Sequence, residues 1–351
     1  GGSSDGGSTG GDTPITTTYY SACLTKSETP TYNCALECNS DEFQYAQYTS
    51  EAECQTEAAA FVTSFVSSDT PRTTDHQYGF DMINDIRANV GMPRFKYNSA
   101  LERAAANHEN YIGDVADTYN VDVGHYEYDE YPSDYFTGYN PTDRALYEGY
   151  EGFYAGDVIS YGNLSTYQSI DGLMSAIYHR QAIFWTFLDE IGIGGLEKNF
   201  NFKSQPHLMG SRVERINFLG ALSPEIICYP YSGETNVRRI FYEELPDPLP
   251  DYSVSGNPIS VTFNSYYVTD VDVKSFKLYD ESAGNIEVTN TRYMDVNNDP
   301  NGRFSPYDFA LFPLDVLESS HTYRVEVAYV ADGEAGTKVW SFTTRSTYDR
   351  H

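Results

Sequence analysis

The hydrophobic positions in the middle of the chain repeat with the period of an α-helix. One apolar stripe recurs at spacings of three and four residues and consists of Leu101, Ala104, Ala105, His108, Tyr111, Ile112 and Val115. A second stripe, Ile170, Leu173, Met174 and Ile177, follows Ser165 and Gln168, which are spaced as a capping box. The pattern predicts two amphipathic helices here, and the string AECQTEAAAFVTSFV at 52–66 predicts a third, shorter helix.

Shorter patterns predict strands and loops around these helices. The Tyr-, Asp- and Gly-rich stretch 117–163 has no sustained period and predicts a long loop of the kind that is usually functional. IGIGG at 191–195 and RINFLGAL at 215–222 predict strands, which together with the helices indicate an α+β domain. After the Pro-rich string ELPDPLPDY, apolar residues alternate at Ile259, Val261 and Phe263, at Tyr323, Val325, Val327 and Tyr329, and at Trp340 and Phe342. This period of two predicts an all-β sandwich of immunoglobulin-like type.

The patterns divide the chain into five segments. They are a flexible Gly/Ser linker (1–18), a cysteine-rich region (19–70), an α+β domain (71–243), a stiff Pro-rich linker (244–252) and the immunoglobulin-like sandwich (253–346). The first segment is a Gly/Ser linker and not the apolar core of a signal peptide. A linker at the start of a chain is best interpreted as a tether, so we expect an exported protein whose mature start followed a cleaved signal segment or a lipidated residue. The expected location is extracellular or in the cell envelope, with a lipid anchor as one option.

Charge and hydropathy exclude two classes of partner. The 351 residues include 51 acidic and 22 basic side chains, which gives a net charge of -29. Such an excess repels phosphate backbones and anionic membranes, so we expect no nucleic-acid partner. The mean hydropathy is -0.50, and no apolar run approaches the roughly 18 residues that a transmembrane helix needs. The sequence therefore predicts no transmembrane segment.

Four of the five cysteines lie within 32 residues and predict disulfide bonds. They are Cys23, Cys34, Cys38 and Cys54, and their three possible pairings stay open. A zinc site with four thiolate ligands is the alternative, but the paired CxxC spacing that is typical of such sites is missing. The fifth cysteine, Cys228, is interpreted as a buried small hydrophobic residue.

Several motifs in order make the middle domain similar to a known family. They are INDIRANVGMPRFKYNSALERAAANHENYI, GHYEY, PTDRALYEGY, AGDVIS and DGLMSAIYHRQAIFWTFLDEIGIG. In content and order they resemble the bacterial branch of the CAP superfamily, named after cysteine-rich secretory proteins, antigen 5 and pathogenesis-related 1 proteins. The resemblance runs from about residue 79 to 222. It implies an α-β-α sandwich with a central cleft, and the stretch that ends in WSFTT looks like the immunoglobulin-like modules that accompany such domains.

The resemblance also implies which residues line the cleft. The family has two histidines and two acidic residues there. His125 in GHYEY and His179 in YHR match the two histidines, and Asp157 stands where the family has the glutamate of its GEN string. The second family glutamate falls near Ser175, which is not acidic. One acid is therefore shorter than the family's, and the other is absent.

Two histidines and a carboxylate permit three interpretations. With a divalent metal, His125 and His179 would be ligands of an open zinc site, and Asp157 would be a third ligand or would orient one ring. Without metal, the group offers hydrogen bonds and proton transfer near neutral pH, or only lines the cleft. His108 lies on the apolar stripe and is interpreted as a core histidine with a backbone partner. Arg180 is expected to pair with Asp171 or Asp189.

A second candidate metal site lies in the predicted sandwich. Asp295, Asn297, Asp299 and Asn301 alternate as the oxygen ligands of an EF-hand calcium loop do at its start. Pro300 occupies the position of the loop glycine and Pro306 that of its bidentate glutamate, so a polar hairpin loop is the alternative. Calcium is therefore the weaker cofactor prediction, after zinc in the cleft.

The sequence leaves three functions open and favours one. The favoured function is an exported protein that binds a divalent metal, or a small molecule, lipid or peptide, in the cleft without clear catalysis. A metal-dependent hydrolase for peptides or cell-wall material is the second, and a structural cell-surface or adhesion module is the third. The absent acid at Ser175 weakens catalysis more than binding, and no GxSxG, P-loop or HExxH motif occurs.

Overall fold

The computed structural model describes residues 17–162, 165–195 and 200–347, so residues 1–16 of the predicted linker lie outside the described residues. Residue contacts divide the chain into two compact units, one up to Val66 and one from Ser67. In the described residues, no helix combines the length and the apolar character needed to cross a bilayer.

The first unit is a small sheet with one helix, joined by disulfides. Its elements are β1 (Tyr20–Thr25), β2 (Tyr32–Ala35), β3 (Glu42–Tyr48) and α1 (Glu51–Val66). The strands pair antiparallel in the order β2-β1-β3. Disulfides join Cys23 to Cys38 and Cys34 to Cys54, which confirms the predicted disulfides and selects one of the three pairings. Two crosslinks stabilise a region whose own buried core is small.

The first part of the second unit is a four-stranded sheet with helices on both faces. Its elements are α2 (Thr74–Asn89), β4 (Lys96–Tyr97), α3 (Ser99–Tyr119), α4 (Pro141–Tyr147), β5 (Tyr154–Tyr161), α5 (Thr166–Ser175), α6 (Ile177–Ile183), β6 (Glu190–Ile193), β7 (Ser204–Ser211) and α7 (Ile216–Leu222). The strand order is β4-β6-β7-β5, and β4 with β6 is the parallel pair. Leu208 and Met209 are neighbours on β7 and lie in two different apolar clusters, one with α3 and one with α2 and α5. The predicted α-β-α sandwich is confirmed.

Helix α3 shows why the strongest sequence pattern was reliable. The Asn98 side chain caps its start by accepting from the amides of Ala100 and Leu101, and the left-handed Asn120 ends it. The apolar stripe is buried as predicted. Gly192 of β6 lets the helix approach closely, because a Cβ there would lie 2.0 Å from the Glu102 nitrogen.

The remaining residues of the second unit form two four-stranded sheets. Their strands are β8 (Ile226–Tyr229), β11 (Ile259–Phe263), β14 (Thr291–Met294) and β15 (Asp308–Pro313) in one sheet, and β12 (Val271–Asp280), β13 (Ile286–Glu287), β16 (Thr322–Ala331) and β17 (Glu334–Thr343) in the other. A short pair, β9 (Ile240–Phe241) and β10 (Ser255–Gly256), lies beside them. One apolar cluster contains Val261 and Phe309 of the first sheet and Val325 and Trp340 of the second. The all-β sandwich is confirmed, and its strand β8 comes from residues that the sequence pattern places in the α+β domain.

Two local predictions are wrong. Residues 216–222 form helix α7, not a strand, because Phe218, Leu219 and Ala221 are all buried and a short apolar run does not distinguish the two elements. The stretch 117–163 is not one loop but contains α4 and β5.

The predicted linker 244–252 contains no helix or strand, but it is not a separated spacer. Glu244 and Leu249 are buried, and Leu249 shares an apolar cluster with Ile177 of α6 and with Phe304 and Phe312 of the sandwich. The α-β-α sandwich and the β-sandwich therefore share a core at α6.

Candidate functional site

The structure brings His125, Asp157 and His179 together at the edge strand of the four-stranded sheet. Asp157 lies on β5, His125 on the loop that follows α3, and His179 on α6. The Nδ1 atom of His125 is 2.6 Å from Oδ1 of Asp157, and the ring centroids of the two histidines are 6.4 Å apart. The three residues thus share one site, as the resemblance implied.

A buried arginine binds both members of the pair formed by His125 and Asp157. Arg144 donates to Oδ2 of Asp157 at 2.9 Å and to the carbonyl of His125 at 3.0 Å. Arg144 lies in the first turns of helix α4. This helix begins with a capping box between Asn140 and Asp143, which fixes the backbone from which the Arg144 side chain extends. The Arg144 side chain is 0 % exposed and that of Asp157 is 2 % exposed, so the ion pair is held out of water. The His125 ring is 40 % exposed and is the accessible end of this chain of contacts.

A second buried pair fixes the loop that carries His125. Nδ1 of His108 lies 2.9 Å from Oε1 of Glu127, and its Nε2 lies 3.0 Å from the carbonyl oxygen of Gly124. The other Glu127 oxygen accepts from the amide of Thr137 at 2.7 Å. The predicted core role and backbone partner of His108 are confirmed, and the pair ties α3 to both ends of the loop.

The His179 pair uses a carboxylate from beyond the α-β-α sandwich. Nδ1 of His179 is 2.7 Å from Oε2 of Glu244, whose side chain is 2 % exposed. Both Glu244 oxygens also accept from the amide of Tyr178, at 3.1 and 3.2 Å. Ser175 is buried nearby, and its hydroxyl lies 3.5 Å from the carbonyl of Ile240. Ser175 thus provides no carboxylate, and the one that faces His179 belongs to Glu244, in the predicted linker.

Comparison with known proteins identifies the domain that contains the site. The model of the cysteine-rich secretory protein (CAP) family matches residues 80–200. This chain contains a CAP domain. The match includes His125, Asp157 and His179 but ends before Glu244.

Two solved structures are similar to part of the chain. An outer surface protein of Borrelia burgdorferi is 17% identical, with a TM-score of 0.34, over 41% of this chain and 96% of that one. An extracellular protein with an SCP domain from Bacillus anthracis is 19% identical, with a TM-score of 0.31, over 41% of this chain and 45% of that one. No curated protein matches the sequence.

The charges around His125 favour an ion pair between its ring and Asp157. Burial lowers the pKa of His125, but the hydrogen bond and charge of Asp157 outweigh it, so this pKa lies above its usual 6.5. Burial raises the pKa of Asp157, but the bond from His125 and the charges of His125, Arg144 and His108 lower it below 3.8 overall. Asp157 is therefore ionised at neutral pH, and its Oδ1 accepts a hydrogen bond from the protonated Nδ1 of His125.

Three site residues were missed by sequence reasoning. Glu127 and Arg144 lie inside the motifs GHYEY and PTDRALYEGY, so a charged residue within a matching motif was the available signal. Glu244 had no such signal, because it lies in a Pro-rich string 65 residues after His179.

The expected partner of Arg180 is wrong. The Arg180 side chain is fully buried and donates to the carbonyls of Met174 and Pro258 and to Oγ of Ser260. The two aspartates that we considered pair elsewhere, Asp171 with Arg345 and Asp189 with Arg215. Because Pro258 and Ser260 belong to the β-sandwich region, Arg180 ties α6 to it.

The predicted calcium loop contacts the cleft through Tyr178. Asp299 accepts from the Tyr178 hydroxyl and from the amide of Phe304, and Asn301 donates to the same hydroxyl at 3.0 Å. Oδ1 of Asp295 accepts from the amide of Asn297 at 2.8 Å. These oxygens already have protein donors, and calcium binding by the loop stays a prediction.

The two histidines have the donor set of a metal site with carboxylate support. Each Nδ1 faces a carboxylate, and in the described residues no protein group hydrogen-bonds either Nε2. In metal sites, a carboxylate that accepts from the ring nitrogen not bound to the metal orients the histidine ligand in this way. A tetrahedral zinc ion places two bound imidazole centroids roughly 5 Å apart, so at 6.4 Å the rings must approach each other slightly.

Elsewhere in the described ranges, one group of three potential metal ligands lies close together. It consists of Cys23, Cys38 and Glu42, whose ligand atoms lie within 4.8 Å of one another. Both sulfurs are in a disulfide and carry no thiolate, so we assign no metal to this cluster.

Proposed function

We propose that this protein is an exported CAP-domain protein that binds a divalent metal ion, or a ligand, in the cleft between His125 and His179. The observation that carries the proposal is the pair of imidazoles 6.4 Å apart, each bound at Nδ1 by a buried carboxylate. Such support fixes the ring orientation and leaves Nε2 available. A group outside the protein can therefore bind both rings without displacing a protein contact.

Zinc is the metal that the donor set fits best. His125 and His179 would hold it, while Asp157 and Glu244 would orient the rings and increase their basicity. When bound, the ion would supply a Lewis acid with open positions for an oxygen or nitrogen atom of a ligand. A peptide, lipid or small molecule with such an atom is the class of ligand that we propose.

Binding is favoured over turnover because both carboxylates are committed. Asp157 is bound by His125 and Arg144, and Glu244 by His179 and the Tyr178 amide. A general base must reach the proton that it removes, and both carboxylates are only 2 % exposed and face protein donors. The proposed role is therefore retention of a ligand.

The export proposal rests on the disulfides. Two of them join a region of about 30 residues, and such crosslinks persist in oxidising compartments. An extracellular or envelope location therefore belongs to the proposal, with or without a lipid anchor.

Zinc titration of the full chain tests the function. We expect one zinc ion per chain by calorimetry, with the affinity lowered at least about a hundredfold in His125→Ala and in His179→Ala, since each loses a ligand. His321→Ala is the matched control, because His321 also pairs with a carboxylate through Nδ1, at 2.8 Å from Asp280, but lies in the β-sandwich. Equal zinc affinity in all four proteins would overturn the metal site. Zinc-dependent cleavage of peptide or cell-wall substrates, lost in both cleft variants, would replace binding by hydrolysis.

A further inference from the structure

The carboxylate that orients His179 comes from outside the family match. We propose that Glu244 is a positioning residue of the cleft and that the C-terminal region thereby completes the site. This inference rests on the proposed function, since it concerns the same two histidines. It goes further by making a segment beyond the CAP domain a required part of the binding site.

The contacts of Glu244 select one form of the His179 ring. A carboxylate that faces Nδ1 at 2.7 Å accepts a proton from it, so Nδ1 is the protonated nitrogen and Nε2 has the lone pair. The Tyr178 amide bonds to the same carboxylate hold it in place. Without this acceptor, nothing in the described contacts would favour the Nδ1-protonated tautomer that a ligand at Nε2 requires.

The packing around Glu244 fixes the carboxylate independently of the cleft. Phe241 and Leu249 lie on either side of it in sequence, and both are buried in the apolar cluster that includes Ile177 of α6. Leu249 is 0 % exposed and Phe241 is 3 % exposed, so the segment has little freedom to move. Glu244 is therefore presented to His179 by a rigid core.

A second set of contacts holds the neighbouring residue in register. The hydroxyl of Tyr178 binds Asp299 and Asn301, and its ring packs edge-on against Phe304 at 5.9 Å. Residues 299–304 belong to the β-sandwich, so the residue before His179 is held by it as well. These contacts explain how a site with serine at position 175 can still have two oriented imidazoles.

Imidazole nitrogen NMR of the metal-free full chain tests the inference directly. In the wild type, we expect His179 to have the chemical shifts of the Nδ1-protonated tautomer. In Glu244→Ala, we expect a shift toward the Nε2-protonated form and a loss of zinc affinity of about 10- to 100-fold, the usual effect of removing the carboxylate that orients a histidine ligand. Glu244→Gln keeps an acceptor, so it should retain the tautomer and recover part of the affinity. The matched control is Glu243→Gln, an exposed neighbour that should change neither quantity.

The outcomes separate this inference from the proposed function. An unchanged His179 tautomer and zinc affinity in Glu244→Ala would overturn the positioning role, even if zinc binds. If the wild type binds no zinc, the metal proposal fails, while the tautomer change would still support Glu244. If Glu244→Ala does not fold, Glu244→Met keeps the size of the side chain without the acceptor and is expected to give the same tautomer change.

Discussion

The two halves of the cleft reach the same local geometry in different ways. On one side, His125 faces Asp157, and all supporting groups, Arg144 included, lie within the CAP domain. On the other side, His179 faces Glu244, which lies 65 residues further along and packs with the β-sandwich. A carboxylate that faces Nδ1 of a cleft histidine can therefore come from the CAP domain or from a distant part of the chain.

The two halves should therefore differ in what their loss affects, which is the stability of the domain for the His125 half and the geometry of the site for the His179 half. Behind the exposed His125 ring, the charges of Asp157 and Arg144 are buried, so the loss of this ion pair should destabilise the domain itself. The His179 half depends on a joint between two regions, so its loss should alter the site more than the fold. Three changes test this division.

The largest expected effect comes from Arg144→Ala. It removes the cation from between Asp157 and Glu127, which are both buried, and breaking a buried ion pair in this way costs about 3–5 kcal/mol. Urea unfolding followed by fluorescence measures it, since both tryptophans, Trp185 and Trp340, lie in the second unit.

The control is Arg103→Ala. The Arg103 side chain is 52% exposed and pairs with Glu148, so its loss should cost less than about 1 kcal/mol. Equal losses in the two variants would mean that the network does not support the domain.

The sequence predicted the two halves unequally for a physical reason. His125, Asp157 and His179 lie in ordered local motifs, and the α3 stripe was predicted because one face of that helix is buried. Strand β5 was missed because both of its faces are buried, so its apolar residues do not alternate with exposed polar ones, and the buried charge of Asp157 interrupts them. Glu244 could not be predicted, because its contact with His179 arises only from the packing of two distant regions.

A smaller, pH-dependent effect is expected at Glu234, whose carbonyl oxygen accepts from the amide of Thr343 in β17 and whose carboxyl group interacts with the charge of Arg180 in α6. Burial raises the pKa of Glu234 to about 7, although the Tyr231 amide and the Tyr229 hydroxyl partly oppose this. Folding therefore favours the protonated acid, and its stabilising contribution is complete below about pH 4.5 and is lost as the pH rises to 7. The loss is at most about 3 kcal/mol.

Glu234→Gln keeps a neutral group at all pH values and isolates this contribution. The free energy of unfolding of the variant, relative to the wild type, should increase from about pH 4.5 through pH 7 and level off above it. Urea titrations at five pH values measure it, with the exposed Glu334→Gln as the control. A difference that does not change with pH would show that Glu234 does not link stability to protonation.

The smallest expected effect would show that the division between the halves is incomplete. Arg303 lies in the loop whose Asp299 binds Tyr178, and its charge lowers the pKa of His125. Arg303→Ala should therefore raise the pKa of His125 further, and the rise should be larger at low salt than at high salt. NMR titration of the His125 ring measures the change, and Arg303→Lys, which keeps the charge, should show little of it. Because Arg303 belongs to the β-sandwich, a measured rise would mean that this region acts on His125 as well as on His179. An unchanged value would leave the His125 half to the CAP domain alone.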